Sequence, residues 1–246
     1  MTNTIFNINR VTSEISHKKY LKDISLQICQ GEFWAVLGTN ASGKSGLGQL
    51  LAGRLKVISG EILAQPESRG YISFEKHSEI MDDIIKNDDT DFIDCIDTGP
   101  LVEDFILNAK KIPTIRFINK KDKINCLPHT ILPKASQSSI SHKKMEALTQ
   151  QFGIAHLRQR GIRFLSTGEI RKTMICQALM NDPQLLILDE PYDGLDIDSK
   201  KSVEDAVASL NSQGIAVVLI LNRFREIPKQ ATHILYVNDC MIQLKG

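Results

Sequence analysis

No pair of cysteines in this 246-residue chain has the CxxC spacing. The five cysteines (Cys29, Cys95, Cys126, Cys176, Cys240) are odd in number and scattered. That excludes a disulfide framework and predicts reduced thiols in a cytosolic setting. The six histidines show no metal-ligand spacing. An excess of charge is missing too: 30 basic residues face 29 acidic ones, a net charge of +1. Overall charge therefore gives no reason to expect direct contact with nucleic acid. The opening MTNTIFNINR lacks the apolar core of a signal peptide. The longest apolar run, Ile215 to Leu221, falls far short of the ~20 residues that span a bilayer. Any membrane role must come through a partner chain. No internal repeat is visible, and no sustained heptads interrupt the chain.

What is there falls into three textures. Residues 1–75 alternate strand-like and turn-like stretches, with INRVTSEI, YLKDISLQI and GEFWAVLG reading as strands. Asn40 to Leu55 then reads as a helix, apolar at Leu47, Leu50, Leu51 and Leu55. Residues 76–160 are more polar: an acidic run in MDDIIKNDDTDFID, a basic one in KKIPTIRFINKKDKINCLPHT, and LPKASQSSISHKK, which reads as loop. Within them Met145 to Ile154 reads as a helix that ends near Gly153, so a peripheral, partly helical sub-domain with long loops is expected. Residues 161–246 return to regular alternation. Glu169 to Met180 is helical, with Ile170, Met174 and Ala178 on one face; Gln184 to Leu188 is a short apolar strand; Ser202 to Leu210 is a helix; Ile215 to Leu221 is a second buried strand; HILYVND and CMIQL form a closing hairpin. Strands apolar on both faces, alternating with helices, predict an α/β fold with a mainly parallel sheet covered on both sides.

Gly38 to Ser45 reads GTNASGKS, an instance of GxxxxGK[ST] that follows the strand WAVL and opens a helix. Glycine lets backbone N–H groups curl round an anionic phosphate without Cβ clashes, and a helix N-terminus adds free donors and a favourable dipole. The phosphate cradle runs through Gly38, Thr39, Asn40, Ala41, Ser42, Gly43, Lys44, Ser45 and Gly46. Lys44 is placed to reach the β- and γ-phosphates, and Ser45 to ligate Mg²⁺. LLILDE, Leu185 to Glu190, delivers two acids at a strand's carboxyl end, where open α/β sheets place ligands. Asp189 is expected to hold Mg²⁺ through water, and Glu190 to orient an attacking water as general base.

LSTGE, Leu165 to Glu169, stands at a helix start between these two motifs, and DGLD (Asp193 to Asp196) follows DEP. The set resembles the nucleotide-binding domain of ABC ATPases: P-loop, signature, LILDEP and a D-loop at Leu195-Asp196. FWAVLGTNASGKS, QQFGI, FLSTGEIRK, CQALM, LLILDEPYDGLD and LNRFREIP together look like the first of two ATPase halves in the ModF-type tandem family, called molybdenum (molybdate) transport ATP-binding or photorepair proteins. The resemblance covers the whole chain and implies a P-loop NTPase fold with an N-terminal antiparallel β part and a helical sub-domain. Residues 1–246 would form one nucleotide-binding domain, with a RecA-like core of 1–75 and 161–246 and a sub-domain of 76–160.

The family's mechanism implies ATP hydrolysis with Mg²⁺ by two such domains sandwiched head to tail. Ser166, Thr167, Gly168 and Glu169 would then contact ATP held by a partner domain, either a second copy or the missing tandem half. The same residues also read as a plain helix cap, and the two readings are compatible. A membrane permease subunit is a further implied partner, placing the chain in the cytoplasm, peripheral to the inner membrane. Non-transport roles, regulatory or repair-related, stay open, as does a nucleotide-gated module with little catalysis.

The chain departs from the family pattern at three positions. Asn222 falls where the family places a switch histidine. Its amide can still donate a hydrogen bond, but it cannot carry a charge or shuttle a proton. Slow hydrolysis is the implied result, with a simple turn cap as the alternative. Glu75 in GYISFE stands where the family has a glutamine that meets Mg²⁺ or water, and reads equally as a surface residue. The adenine platform, usually aromatic, falls near Ile15, with Tyr20 the nearest aromatic downstream.

Overall fold

The computed structural model describes residues 3–16, 19–74, 100–108 and 135–246. Glu75, the acidic run of residues 81–94 and the basic run of residues 110–130 lie outside the described residues. Two sheets form the frame. Strands β1 (Thr4–Ser16), β2 (Lys19–Cys29) and β4 (Val57–Ala64) build an antiparallel sheet ordered β2-β1-β4. The other sheet runs β5 (Arg69–Ser73), β6 (Leu185–Asp189), β7 (Ala216–Ile220), β3 (Phe33–Leu37), β8 (His233–Asn238), β9 (Met241–Lys245). Its first five strands are parallel, and β9 returns antiparallel to β8.

The parallel sheet has no solvated face at its centre, because β3, β6 and β7 are buried at every residue. Their side chains alternate between two cores, as the twofold repeat of a strand requires. Phe33, Ala35, Leu37, Leu186, Leu188, Val217 and Leu219 face one core. The helices α2 (Val102–Leu107), α3 (Ala135–Gln151), α4 (Thr167–Leu179) and α5 (Ile197–Asn211) complete it through residues such as Ile106, Met145, Ile175 and Val207. Trp34, Val36, Leu185, Ile187, Val218 and Ile220 face the other core. There they meet Leu47, Leu50 and Leu51 of α1 (Lys44–Leu51) and the inner face of the antiparallel sheet, with Phe6, Ile8, Leu21 and Ile24. The fold is α/β with a mainly parallel sheet, as the strand and helix pattern predicts, and an antiparallel N-terminal part, as the family resemblance implies.

Some expectations are corrected. The first helix begins at Lys44, not Asn40, because Ala41 (φ 61°) and Gly43 (φ 103°) have left-handed backbones that a helix cannot contain. It ends at Leu51, before Gly53 at φ 72°. The stretch LPKASQSSISHKK, read as loop, is helical from Ala135, and α3 runs on to Gln151. The helix read over Ser202 to Leu210 starts earlier, at Ile197, where the Asp196 side chain accepts from the Ser199 N–H. The strand before Asn222 ends at Ile220, although the Leu221 N–H still donates to the Val36 carbonyl at 2.9 Å. A single apolar face on α4 is too simple a description. Arg171, Thr173, Cys176 and Gln177 are buried as well as Ile170 and Met174, because the helix lies among α2, α3, α5 and β5.

Candidate functional site

Parallel strands bring their carboxyl ends to one edge of the sheet. Val36 of β3 and Asp189 of β6 both pair with Ile220 of β7, so the loops after Leu37, Asp189 and Ile220 leave side by side. The first is the glycine-rich loop. Its shape depends on two glycines. A Cβ on Gly38 would lie 2.2 Å from the Val237 carbonyl oxygen and 2.6 Å from Ser42 Oγ. One on Gly43 would lie 3.1 Å from both Cα and Sγ of Cys240, on a backbone at φ +103°. The turn between β8 and β9 braces the loop, and the Cys240 N–H donates to the Ser42 carbonyl at 2.8 Å. Gly43→Ala is expected to lower the thermal midpoint by about 2–8 °C, from about 1–2 kcal/mol of backbone strain. Differential scanning calorimetry checks this, and an unchanged midpoint would contradict the tight fit.

Within the loop, Lys44 Nζ donates to the carbonyls of Gly38 and Thr39, each at 3.0 Å. The residue is only 5% exposed, and burial pulls its pKa down while the carboxylates of Glu190 and Asp189 pull it back. An ammonium group thus sits in a dry pocket beside two acids, its hydrogen bonds spent on carbonyls that an anion can replace. Ser42 Oγ is buried with no hydrogen-bond partner among the described residues. A cradle that holds a buried cation and an orphaned hydroxyl, and excludes a Cβ at two places, fits an anionic phosphate group. Ser45, half-buried at the start of α1, and Asp189, 3% exposed, are the oxygen donors that fit Mg²⁺.

Strand β6 supplies the acids. Tyr71 in β5 donates its hydroxyl to Asp189 Oδ2 at 2.9 Å. Burial, reinforced by the Asp189 charge, pushes the Tyr71 pKa well above its ordinary value, so it stays a donor. The Tyr71 ring stacks under the Arg54 guanidinium, 4.5 Å from its centroid, and lies against Gly48. Glu190 follows at φ 58°, in the left-handed region, with its N–H donating to the Ile220 carbonyl at 3.0 Å. Asn222 lies beyond β7 at this same edge, exposed, and its side chain makes no hydrogen bond among the described residues. The short 3₁₀ turn that follows has Arg223 as its N-cap without a side-chain bond, so Asn222 is not a turn cap here. Ile15 packs on the opening turn of α1: a Cβ on Gly46 would come within 2.7 Å of Ile15 Cδ1.

The LSTGE segment forms a different surface. Ser166 is the N-cap of α4 in a reciprocal capping box: the Ser166 N–H donates to Glu169 Oε2 at 2.7 Å, and the Glu169 N–H to Ser166 Oγ at 3.3 Å. Gly168 is buried against Ser199, so the starts of α4 and α5 lie together. They flank a groove of about 240 Å³ in which Lys172 faces two carboxylates, Glu169 and Asp198, beside Ser166, Ser199 and Ser202. Ser166 and Thr167 are exposed at its rim. The glycine-rich loop and the acids are therefore gathered at one sheet edge, while Ser166 to Glu169 lie on a separate surface at the start of α4. Sequence reasoning missed Tyr71 and Arg171, both of which touch the acid-bearing segment. Neither belongs to a local motif, and only the pairing of distant segments brings them in.

The sequence pattern of the family described as "ABC transporter" matches residues 21–193. The ABC transporter ATP-binding protein ModF of Escherichia coli is 37% identical over 96% of this chain, which spans 42% of that relative's length. The zinc import ATP-binding protein ZnuC of Yersinia enterocolitica is 26% identical over 96% of this chain and 77% of its own length. Among solved structures, cbiO1 from Clostridium perfringens, part of the ABC transporter complex cbiONQ, superimposes with a TM-score of 0.73. That likeness, at 22% identity, covers 99% of this chain and 88% of that one, and speaks to the fold.

Proposed function

Because the chain belongs to the ABC transporter family, we propose that it binds and hydrolyses ATP as one half of a head-to-tail pair of nucleotide-binding domains. The observation that supports this most is the buried Lys44 ammonium, held on the Gly38 and Thr39 carbonyls beside Asp189 and Glu190. Binding moves Lys44 Nζ from those carbonyls to the β- and γ-phosphates, and the N–H groups from Asn40 to Ser45 close round them. Ile15 offers adenine an aliphatic surface next to Gly46. Ser45 and Asp189, with Glu75 as a further oxygen donor, would hold Mg²⁺, whose charge would offset that of the phosphate oxygens. Tyr71 keeps one oxygen of Asp189 oriented. Glu190 takes the proton of the attacking water, and Asn222 donates its amide hydrogen bond to the γ-phosphate. Ser166, Thr167, Gly168 and Glu169 complete the partner's site, so each chain carries two half-sites.

We further propose that residues 1–246 act as one domain, with core 1–75 and 161–246 and a sub-domain 76–160. The partner is a second copy or the other half of a tandem protein. Among the described residues no helix is long and apolar enough to cross a membrane, so the proposed place at the cytoplasmic face of the inner membrane depends on a permease subunit. A molybdate-type system is the transport reading we favour. It is supported by the tandem-family resemblance and the 37% identity to ModF, against 26% to a zinc import ATP-binding protein. Uptake of labelled molybdate and zinc by cells lacking the chain separates these substrates. Titration calorimetry with ATP and Mg²⁺ tests the core reading: one site per chain is expected, and absence of binding at millimolar ATP would sink it.

A second reading, a nucleotide-gated module with weak hydrolysis, is motivated by Asn222 and Glu75, of which Asn222 lies among the described residues. Replacing a group that can hold charge by a neutral amide costs roughly ten-fold, about 1.4 kcal/mol of barrier. Asn222→His is therefore expected to raise the steady-state turnover of the paired protein about ten-fold, with KM for ATP little changed. Equal turnover in the two proteins would remove Asn222 from the account.

A further inference from the structure

Helix α4 carries an arginine with no place in the mechanism above. Arg171 stands in the second turn, five residues after Ser166, and is only 6% exposed. Its guanidinium reaches across to the segment after β6. Nη1 donates to the Glu190 carbonyl at 3.1 Å and also to the Pro191 carbonyl, and Nη2 donates to the Asp193 carbonyl. Its flat side lies over the Phe74 ring, 5.1 Å from the centroid, and the Phe74 N–H donates to the Asp189 carbonyl at 3.1 Å. One buried cation thus collects the main chain from Glu190 to Asp193, and a rigid planar fork is what such a set of acceptors needs.

The segment it holds is strained. Glu190 has φ 58°, a conformation that costs a non-glycine residue of order 1–2 kcal/mol and persists where the surroundings over-determine it. On one side the constraint is β7, through the Glu190 N–H on the Ile220 carbonyl. On the other it is Arg171. The same guanidinium rides on the helix whose first residues are exposed at Ser166 and Thr167 and buried at Gly168.

We propose that Arg171 is a positioning residue that fixes the backbone of Glu190 from α4, so that contact at the exposed Ser166 and Thr167 sets the aim of the acid serving the other nucleotide. This rests on the ATPase reading. It adds a physical link between the two half-sites of one chain, through a single side chain and the carbonyls it gathers. The link runs without either half-site touching the other.

The test compares wild type with Arg171→Lys, which keeps the charge but loses the fork, and with Arg171→Met, which keeps the bulk alone. ATP affinity is expected to stay within about twofold in both, because the glycine-rich loop is not touched. Turnover is expected to fall about 10–100-fold with KM unchanged, as for a misaimed catalytic group. Backbone hydrogen exchange, followed without nucleotide, is expected to rise in residues 190–196 of the lysine variant and to stay unchanged in residues 38–45. An unchanged exchange rate at 190–196, or turnover within twofold of wild type in a folded Arg171→Lys protein, would overturn the proposal. Should wild type itself bind ATP without hydrolysing it, the ATPase reading fails on its own, and with it the catalytic half of this inference; the exchange experiment then decides whether Arg171 holds the segment.

Discussion

Glu190→Gln is expected to cut ATP turnover by the paired protein about 10²–10⁴-fold while leaving ATP affinity within about twofold. The substitution replaces one carboxylate oxygen by an amide of the same shape. The backbone is fixed independently of the side chain, by the Glu190 N–H on the Ile220 carbonyl and by Arg171 on the Glu190 carbonyl. The fold and the position of the side chain therefore survive, and what is lost is the ability to take a proton from water. A pair that can close on ATP but not turn it over should also accumulate, so size-exclusion chromatography with ATP should show more dimer than wild type. Turnover within threefold of wild type would mean that the general base is elsewhere. Asp189 would not replace it easily, because it is buried and already accepts from Tyr71.

Lys44→Ala is expected to weaken ATP binding about 10–100-fold, the worth of charge-assisted hydrogen bonds of about 1.5–3 kcal/mol, and to remove measurable turnover. Stability without nucleotide is expected to move the other way or not at all. Burial is the first cause of the lowered Lys44 pKa, so the folded protein bears a cost for keeping an ammonium there, which the variant no longer bears. A thermal midpoint that is equal or higher without ATP, and that no longer rises with ATP, is the expected pair of results. If the variant melts far lower without nucleotide, Lys44 is a structural strut of the loop. If the ATP-induced rise persists, it is not a phosphate ligand.

Residues whose chemistry is local were legible in the sequence. Gly38 to Ser45 was legible as a glycine-rich loop from its residue types, although the helix read from Asn40 begins only after the left-handed Gly43. Ser166 and Glu169 have the spacing of a capping box, and the structure forms both of its hydrogen bonds. Strands β3, β6 and β7 were legible because apolar runs of four or five residues, too short for a helix and bounded by turn residues, fit strands buried on both faces. The start of α3 was not: ASQSSISHKK is rich in serine and lacks an apolar stripe, and nothing in its own residues favours a helix over a loop. Strand β4 was equally silent, since it lies at the edge of its sheet with Ile58, Ile62 and Leu63 exposed.

Tyr71 and Arg171 show a different limit. Tyr71 meets Asp189 because β5 pairs with β6 across 118 positions of chain, and no spacing rule spans that distance. Arg171 lies outside the apolar face of Ile170, Met174 and Ala178 that the sequence pattern marks on this helix. It is buried because α4 is enclosed on several sides, a fact about neighbouring elements that a helical period cannot carry. Both residues support the site from behind. The motifs therefore give the residues proposed to touch nucleotide, and the fold adds those that hold them in place.

The most direct test of the central claim, that one chain carries two half-sites completed by pairing, is specific ATPase activity measured with Mg²⁺ over a wide range of protein concentration. The account predicts activity per chain that rises with concentration and then saturates as pairs form. Activity per chain that is constant across the whole range would contradict a site shared between two copies.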